Sequence, residues 1–200
     1  MSLEHLLRTK LDPLDAIASA RTRSDNDLNP GFDNHPAQRP AAVLAPIVKR
    51  ASGWTMLFTE RSVETPAHPG QISFPGGRVQ ESDADALDTA LRETFEEIGL
   101  ARSFIEPLGA WDRYDTITGF RVTPIVGLVE PGFELKLDPR EVASVFEAPL
   151  DFLMDPANHE VREAQFRGHL RRYYVMPYEG HHIWGATAGM VRALWERLHG

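Results

Sequence analysis

The stretch ADALDTALRETFEEI, residues 84–98, runs without proline or glycine and is bracketed by Ser82 and Asp83 on one side and Gly99 on the other. That pattern predicts an α-helix with Ser82 or Asp83 as N-cap and a glycine stop. At about 100° per residue, Glu93, Glu96 and Glu97 share one face, while Leu87, Leu91, Phe95 and Ile98 fall on the opposite, core-forming side. Acidic residues on an amphipathic helix are ordinarily a solvated face. Here Glu93 and Glu97 repel at i,i+4 by roughly 0.2–0.5 kcal/mol, and the cluster sits at the negative end of the helix dipole. Arg92 can pair with Glu96, but one guanidinium cannot neutralise three carboxylates. A divalent cation can. Carboxylate oxygens suit hard Mg2+ or Mn2+, which keep several waters and complete their shells with substrate phosphates.

Upstream, ISFP predicts a short strand that ends in Gly76-Gly77, where the backbone can approach a ligand closely and offer a bare carbonyl as a further ligand. A short acidic loop, RVQESD, links these glycines to the glutamate helix, so loop and helix make one site.

Together these residues resemble the signature of the Nudix hydrolases, which cleave a nucleoside diphosphate linked to another group. Arg92, Glu93, Glu96, Glu97, Gly99 and Leu100 match its second half, with Thr94 replacing a bulky apolar residue. The spacing from Gly77 to Arg92 is one residue longer than in the general signature, leaving Glu81 or Asp83 as the upstream acid. LFTERSVETPAHPGQISFPGG, residues 57–77, resembles the additional motif of the coenzyme A pyrophosphatase branch, with Pro66 where that branch commonly has Arg. Residues 115–127, 141–150 and 184–194 also look like this branch.

The resemblance implies an α/β fold, a Nudix-like α/β/α sandwich with a mixed β-sheet. It implies a metal-dependent hydrolase that splits coenzyme A or its derivatives into 3',5'-ADP and 4'-phosphopantetheine or its acyl form. An NDP-sugar, ADP-ribose or a dinucleotide is the alternative substrate, and a non-catalytic nucleotide-binding regulator the less favoured reading. By resemblance, Glu93, Glu96, Glu97 and the Gly76 carbonyl hold Mg2+ or Mn2+. One of the glutamates, Glu93 by default, orients or deprotonates the water. A downstream loop carboxylate is the other candidate base, with Glu141 ahead of Glu147. Arg92 reads as the residue that orients the carboxylates. Arg61 and Ser62 belong to the branch motif, Arg61 as a ligand for substrate phosphate, and His68 sits on the loop leading into the site.

Composition bounds the rest. Two hundred residues at 42% hydrophobic suffice for one core. The reading is a helical segment and connector over residues 1–39, broken at Pro13 and packed on a domain of residues 40–200. With 29 acids against 21 bases and no basic block, nucleic acid and anionic membranes are poor partners, while small phosphorylated molecules remain possible, and the resemblance implies a small nucleoside diphosphate derivative. The absence of cysteine excludes disulfides, thiol catalysis and zinc–thiolate sites. No apolar run reaches the ~20 residues of a membrane span and no signal-peptide core opens the chain, so the expected compartment is the cytoplasm. A homodimer is left open.

Strands are expected at AAVLAPIVKR, WTMLFTER, ISF, EPLGAWDRYDT and GFRVTPIVGLV, with Pro124 counting against a central place for the last of them. EVASVFEAPLDFLMD suggests helix or strand-to-helix, and TAGMVRALWERL a closing helix. Trp184, Met190 and Trp195 are expected in the core, whereas His181 and His182 lack an acidic partner at ligand spacing and read as structural or surface residues.

Overall fold

The computed structural model describes residues 2–19, 21–31, 39–65, 68–166 and 168–200. Helix α1 (Leu3–Lys10) starts at Ser2, whose hydroxyl accepts from the His5 N–H at 3.3 Å, and a 3-10 turn (Leu14–Ser19) follows Pro13. The chain then runs through β1 (Thr22–Ser24), β2 (Arg39–Arg50), β3 (Gly53–Arg61), β4 (Ile72–Ser73), β5 (Gly76–Arg78) and α2 (Ala86–Ile98). Next come β6 (Ile105–Ala110), β7 (Arg113–Asp115), β8 (Phe120–Val129), β9 (Val142–Pro149) and the single-turn α3 (Leu150–Leu153). β10 (Glu160–Phe166), β11 (His169–Tyr178), β12 (His181–Trp184) and α4 (Gly185–His199) complete it.

Among the described residues, nine strands form one mixed sheet around a long parallel pair, β2 with β8. Alternation along the strands sorts their apolar side chains onto two faces. Ala42, Leu44 and Val48 of β2, Leu57 of β3 and Ile125 of β8 pack with Ala90, Leu91 and Ile98 of α2. Ala41, Ala45 and Ile47, with Met56, Phe58 and Val126, pack with Leu7 of α1 and Met190, Val191 and Leu194 of α4. The result is an α/β/α sandwich, with α2 on one face and α1 and α4 on the other.

Several expectations change. Pro124 sits within β8, in mid-sheet. It falls where β8 exchanges partners, β6 pairing with its residues 125–129 and β7 with 121–122, so the missing N–H coincides with a gap in the ladder. EPLGAWDRYDT is two strands rather than one, because the chain bends at Trp111, which is fully buried and donates from Nε1 to the Met190 carbonyl at 3.0 Å. EVASVFEAPLDFLMD takes the strand-to-helix form of its two readings, a strand followed by one helical turn. The three-stranded sheet β10-β11-β12 went unforeseen, since β10 is exposed almost throughout and carries no apolar alternation. Trp184 lies at the end of β12 and is exposed, Trp195 is half-buried, and only Met190 of the three is core.

Candidate active site

Helix α2 begins two residues later than its sequence suggests. Asp85 is the cap, its carboxylate accepting from the Asp88 N–H at 2.8 Å. Asp83 is thereby released from capping. Its oxygens accept from Arg92 Nε and Nη2 at 2.8 and 2.9 Å, from the Thr89 hydroxyl at 2.8 Å and from the Gln80 N–H at 2.8 Å. The Arg92 hydrogen bonds, chiefly, hold the Asp83 carboxyl well below the usual carboxylate range. Glu81, the other candidate for the upstream acid, is exposed.

Arg92 organises this end of the site. Besides Asp83, Nη1 donates to Glu93 Oε1 and Glu96 Oε2, both at 2.9 Å, and Nη2 to the Arg78 carbonyl at 3.2 Å. It thus ties two of the three clustered glutamates to the loop that follows β5. The third glutamate is placed differently. Glu97 is 3% exposed, and Oε2 accepts from the Gly76 N–H at 3.1 Å. Among the described residues the nearest cation is Arg61, with Nη1 at 3.9 Å from Oε1. Burial pushes the Glu97 carboxyl up to about 8, against the Gly76 hydrogen bond and the Arg61 charge and with help from the charges of Glu93 and Glu141. Glu93, half-buried, is raised for the same first reason, with Arg92 opposing and Glu96 and Glu141 adding to it.

The glycines make this approach possible. A Cβ at Gly77 would stand 2.4 Å from Cδ of Glu93, and one at Gly76, whose φ is +152°, would stand 2.4 Å from the Ala42 carbonyl oxygen. A side chain at Gly77 would drive β5 and α2 apart, and one at Gly76 would drive β5 away from β2. Thr94, at an apolar position of the signature, is fully buried and spends its hydroxyl on the Ala90 carbonyl at 2.6 Å. Phe95, expected in the core, is 58% exposed because Ala90, Leu91, Thr94 and Ile98 fill the buried side of the helix.

A second loop closes over the end of α2. The N–H groups of Lys136 and Asp138 donate to the carbonyls of Ile98 and Glu97, both at 2.9 Å, satisfying acceptors that the helix leaves open. That path brings Glu141, exposed, to the cluster, and its carbonyl accepts from the Ser62 N–H at 2.8 Å. Glu147 lies elsewhere, on β9, committed to Arg50 at 2.5 Å and to the Thr55 hydroxyl.

The remaining motif residues divide. Arg61 points into the cluster. Ser62 is buried in a loop turn, its hydroxyl accepting from the Glu64 N–H and its carbonyl from the Thr65 hydroxyl. His68 is exposed at φ +57°. Pro66 lies outside the described residues. His181 stacks on Phe146 at 3.7 Å, on the opposite face of the sheet from α2, and takes no part in the cluster.

Among the described residues no three acidic or histidine side chains converge on one point, since Arg92 draws Glu93 and Glu96 towards itself. The donor chemistry nevertheless fits a hard divalent cation. All donors are oxygens, and a carboxyl buried at Glu97 with no cation nearer than 3.9 Å is most readily ionised by a positive charge beside it.

Residues 38–170 match the NUDIX domain model. The chain belongs to the Nudix hydrolase family. Nudix hydrolases act on pyrophosphate bonds and generally use divalent metal ions. The uncharacterized Nudix hydrolase NudL of Enterobacter sp. (strain 638) is 39% identical over 157 residues, 78% of this chain and 81% of that protein. NudL of Escherichia coli (strain K12) is 39% identical over 156 residues with the same coverage. Among solved structures, the Nudix domain of Shewanella oneidensis NrtR, complexed with ADP ribose, aligns at a TM-score of 0.52 over 84% of this chain and 94% of its own, with 16% identity. The Nudix hydrolase RenU of M. smegmatis aligns at 0.51 over 80% and 83%, with 17% identity. These two establish the Nudix fold.

Proposed function

We propose that this Nudix hydrolase splits the diphosphate of coenzyme A or its derivatives, giving 3',5'-ADP and 4'-phosphopantetheine or its acyl form. The observation that carries the reading is the position of the branch-like loop. Arg61 reaches from it to within 3.9 Å of Glu97, and Ser62 fastens it to the backbone of Glu141. A loop so placed lies beside any diphosphate held at the glutamates.

Glu93, Glu96 and Glu97, with the Gly76 carbonyl, would hold Mg2+ or Mn2+. Bound there, the cation supplies charge neutralisation for the diphosphate oxygens. Arg61 offers a guanidinium to a phosphate oxygen. Arg92 fixes Glu93 and Glu96 from the side facing Asp83. Glu141, exposed and near enough for its charge to raise both Glu93 and Glu97, accepts the proton of the attacking water. Water oxygen bonds to one phosphorus, and the bridging oxygen leaves with the other.

Incubation of the protein with coenzyme A and Mg2+ or Mn2+, followed by mass spectrometry, should yield 3',5'-ADP and 4'-phosphopantetheine. Arg61→Ala should lower kcat/KM for coenzyme A more than tenfold, about 1.4 kcal/mol. Faster hydrolysis of ADP-ribose or an NDP-sugar would overturn the coenzyme A assignment and leave the hydrolase class standing.

A further inference from the structure

On the face of the sheet away from α2, two guanidiniums share one aromatic ring. Arg39 Cζ stands 4.0 Å and Arg78 Cζ 5.2 Å from the centroid of Phe120. Arg39 Nη2 donates to the Thr118 carbonyl, and neither arginine forms an ion pair among the described residues. Both are exposed. Strand register explains the assembly. Arg39 pairs with Phe120 across β2 and β8, Ala41 pairs with Arg78 across β2 and β5, and alternation puts all three side chains on the face away from α2.

Two like charges held over one ring repel, and cation–π attraction returns only ~0.5–1 kcal/mol at an exposed site. An anion bound by both would relieve that repulsion. A guanidinium carries five N–H donors along its edges. Such edges bind phosphate bidentately. The position is equally specific. Arg78 follows Gly77, whose missing side chain admits the Glu93 carboxylate, so the two groups lie on opposite faces of the short strand β5. Among the described strands β5 pairs only with β2, so a ligand passing around its free edge would meet both.

We propose that Arg39 and Arg78 bind a phosphate monoester of the substrate, separate from the diphosphate at the glutamates. Resting on the coenzyme A reading, that group is the 3'-phosphate of the nucleotide half. Phe120 serves as the plate on which the two guanidiniums are oriented.

The test is calorimetric titration of the whole protein with 3',5'-ADP and with 5'-AMP. The parent should bind 3',5'-ADP at least tenfold more tightly, and the Arg39→Gln/Arg78→Gln variant should bind the two alike. A parent that does not discriminate, or a variant that still does, overturns the site. In a second arm, the variant should show a tenfold fall in the coenzyme A to dephospho-coenzyme A ratio of kcat/KM, a ratio from which any loss of folded protein cancels. An unchanged ratio also counts against the site. Should the parent hydrolyse neither substrate, the coenzyme A reading fails, while the titration still decides the phosphate site.

Discussion

Glu97 shows at the scale of one residue how a fold can hold a group against its own preference. A carboxyl 3% exposed, raised by burial to about 8, keeps its proton in the metal-free protein at neutral pH. The sign follows directly. The folded state binds a proton that the unfolded state, with its value near 4.5, releases. The stability this contributes is complete below about 4.5 and is lost as pH rises through about 8. Melting temperature without metal should therefore carry a downward slope across that window, and Glu97→Gln should remove it. A variant that keeps the parent's slope would assign the effect to another group. In catalysis the same substitution should cost at least a hundredfold in kcat, about 2.7 kcal/mol, while metal-free stability stays level or improves. The spacing of the three glutamates is plain in the sequence, but their inequality is not. Arg92 holds Glu93 and Glu96, whereas Glu97 faces the Gly76 N–H, because the sheet covers only one flank of the helix.

Helix α2 depends on the segments at its two ends. At its start, the Asp85 cap frees Asp83 for Arg92. At its end, Gly99 takes φ +71°, and a Cβ there would stand 2.9 Å from the Lys136 backbone, in the loop that leads on to Glu141. Gly99→Ala should destabilise the protein by about 1–2 kcal/mol, the cost of a left-handed conformation for an L side chain, read as a lower urea midpoint. It should also lower kcat more than that loss of stability accounts for, by pushing aside the loop that carries Glu141. A full parental kcat in the folded variant would separate loop position from catalysis. Gly77→Ala makes the complementary case. With 2.4 Å between the added carbon and Cδ of Glu93, activity should fall at least tenfold, about 1.4 kcal/mol. Both glycines stand out in the sequence as turn-formers, yet the groups they admit come from elements 16 and 37 residues away, Glu93 and Lys136, and only packing reveals them.

Across the whole molecule, the proposed cation site at the end of α2 predicts that native stability rises when a cation binds. Millimolar Mg2+ or Mn2+ should raise the melting temperature by RT ln(1 + [L]/Kd), about 1.4 kcal/mol at ten times Kd, and a chelator should reverse it. For a chain of this size that is roughly 3–6 °C. An unchanged melting curve would return the glutamates to a solvated surface. Much of this was legible beforehand. Helix period, cap and stop residues, and alternating strands are local properties, so the sequence by itself determined the acidic helix, the glycine turn before it, the α/β class and the family signature. What lies far apart along the chain belonged to tertiary structure. The sequence left the upstream acid open between Glu81 and Asp83, and the fold gave Asp83 to Arg92. It read EPLGAWDRYDT as one strand, and burial of Trp111 bent it into two. It counted Pro124 against a central strand, and the change of partner from β6 to β7 supplied a place where no N–H is needed. It placed Phe95 in the core, and the fold exposed it. The physical reason is common to all four. A side chain's partner is chosen by which surfaces the sheet brings together, and that choice is made across distances where local propensity carries no information.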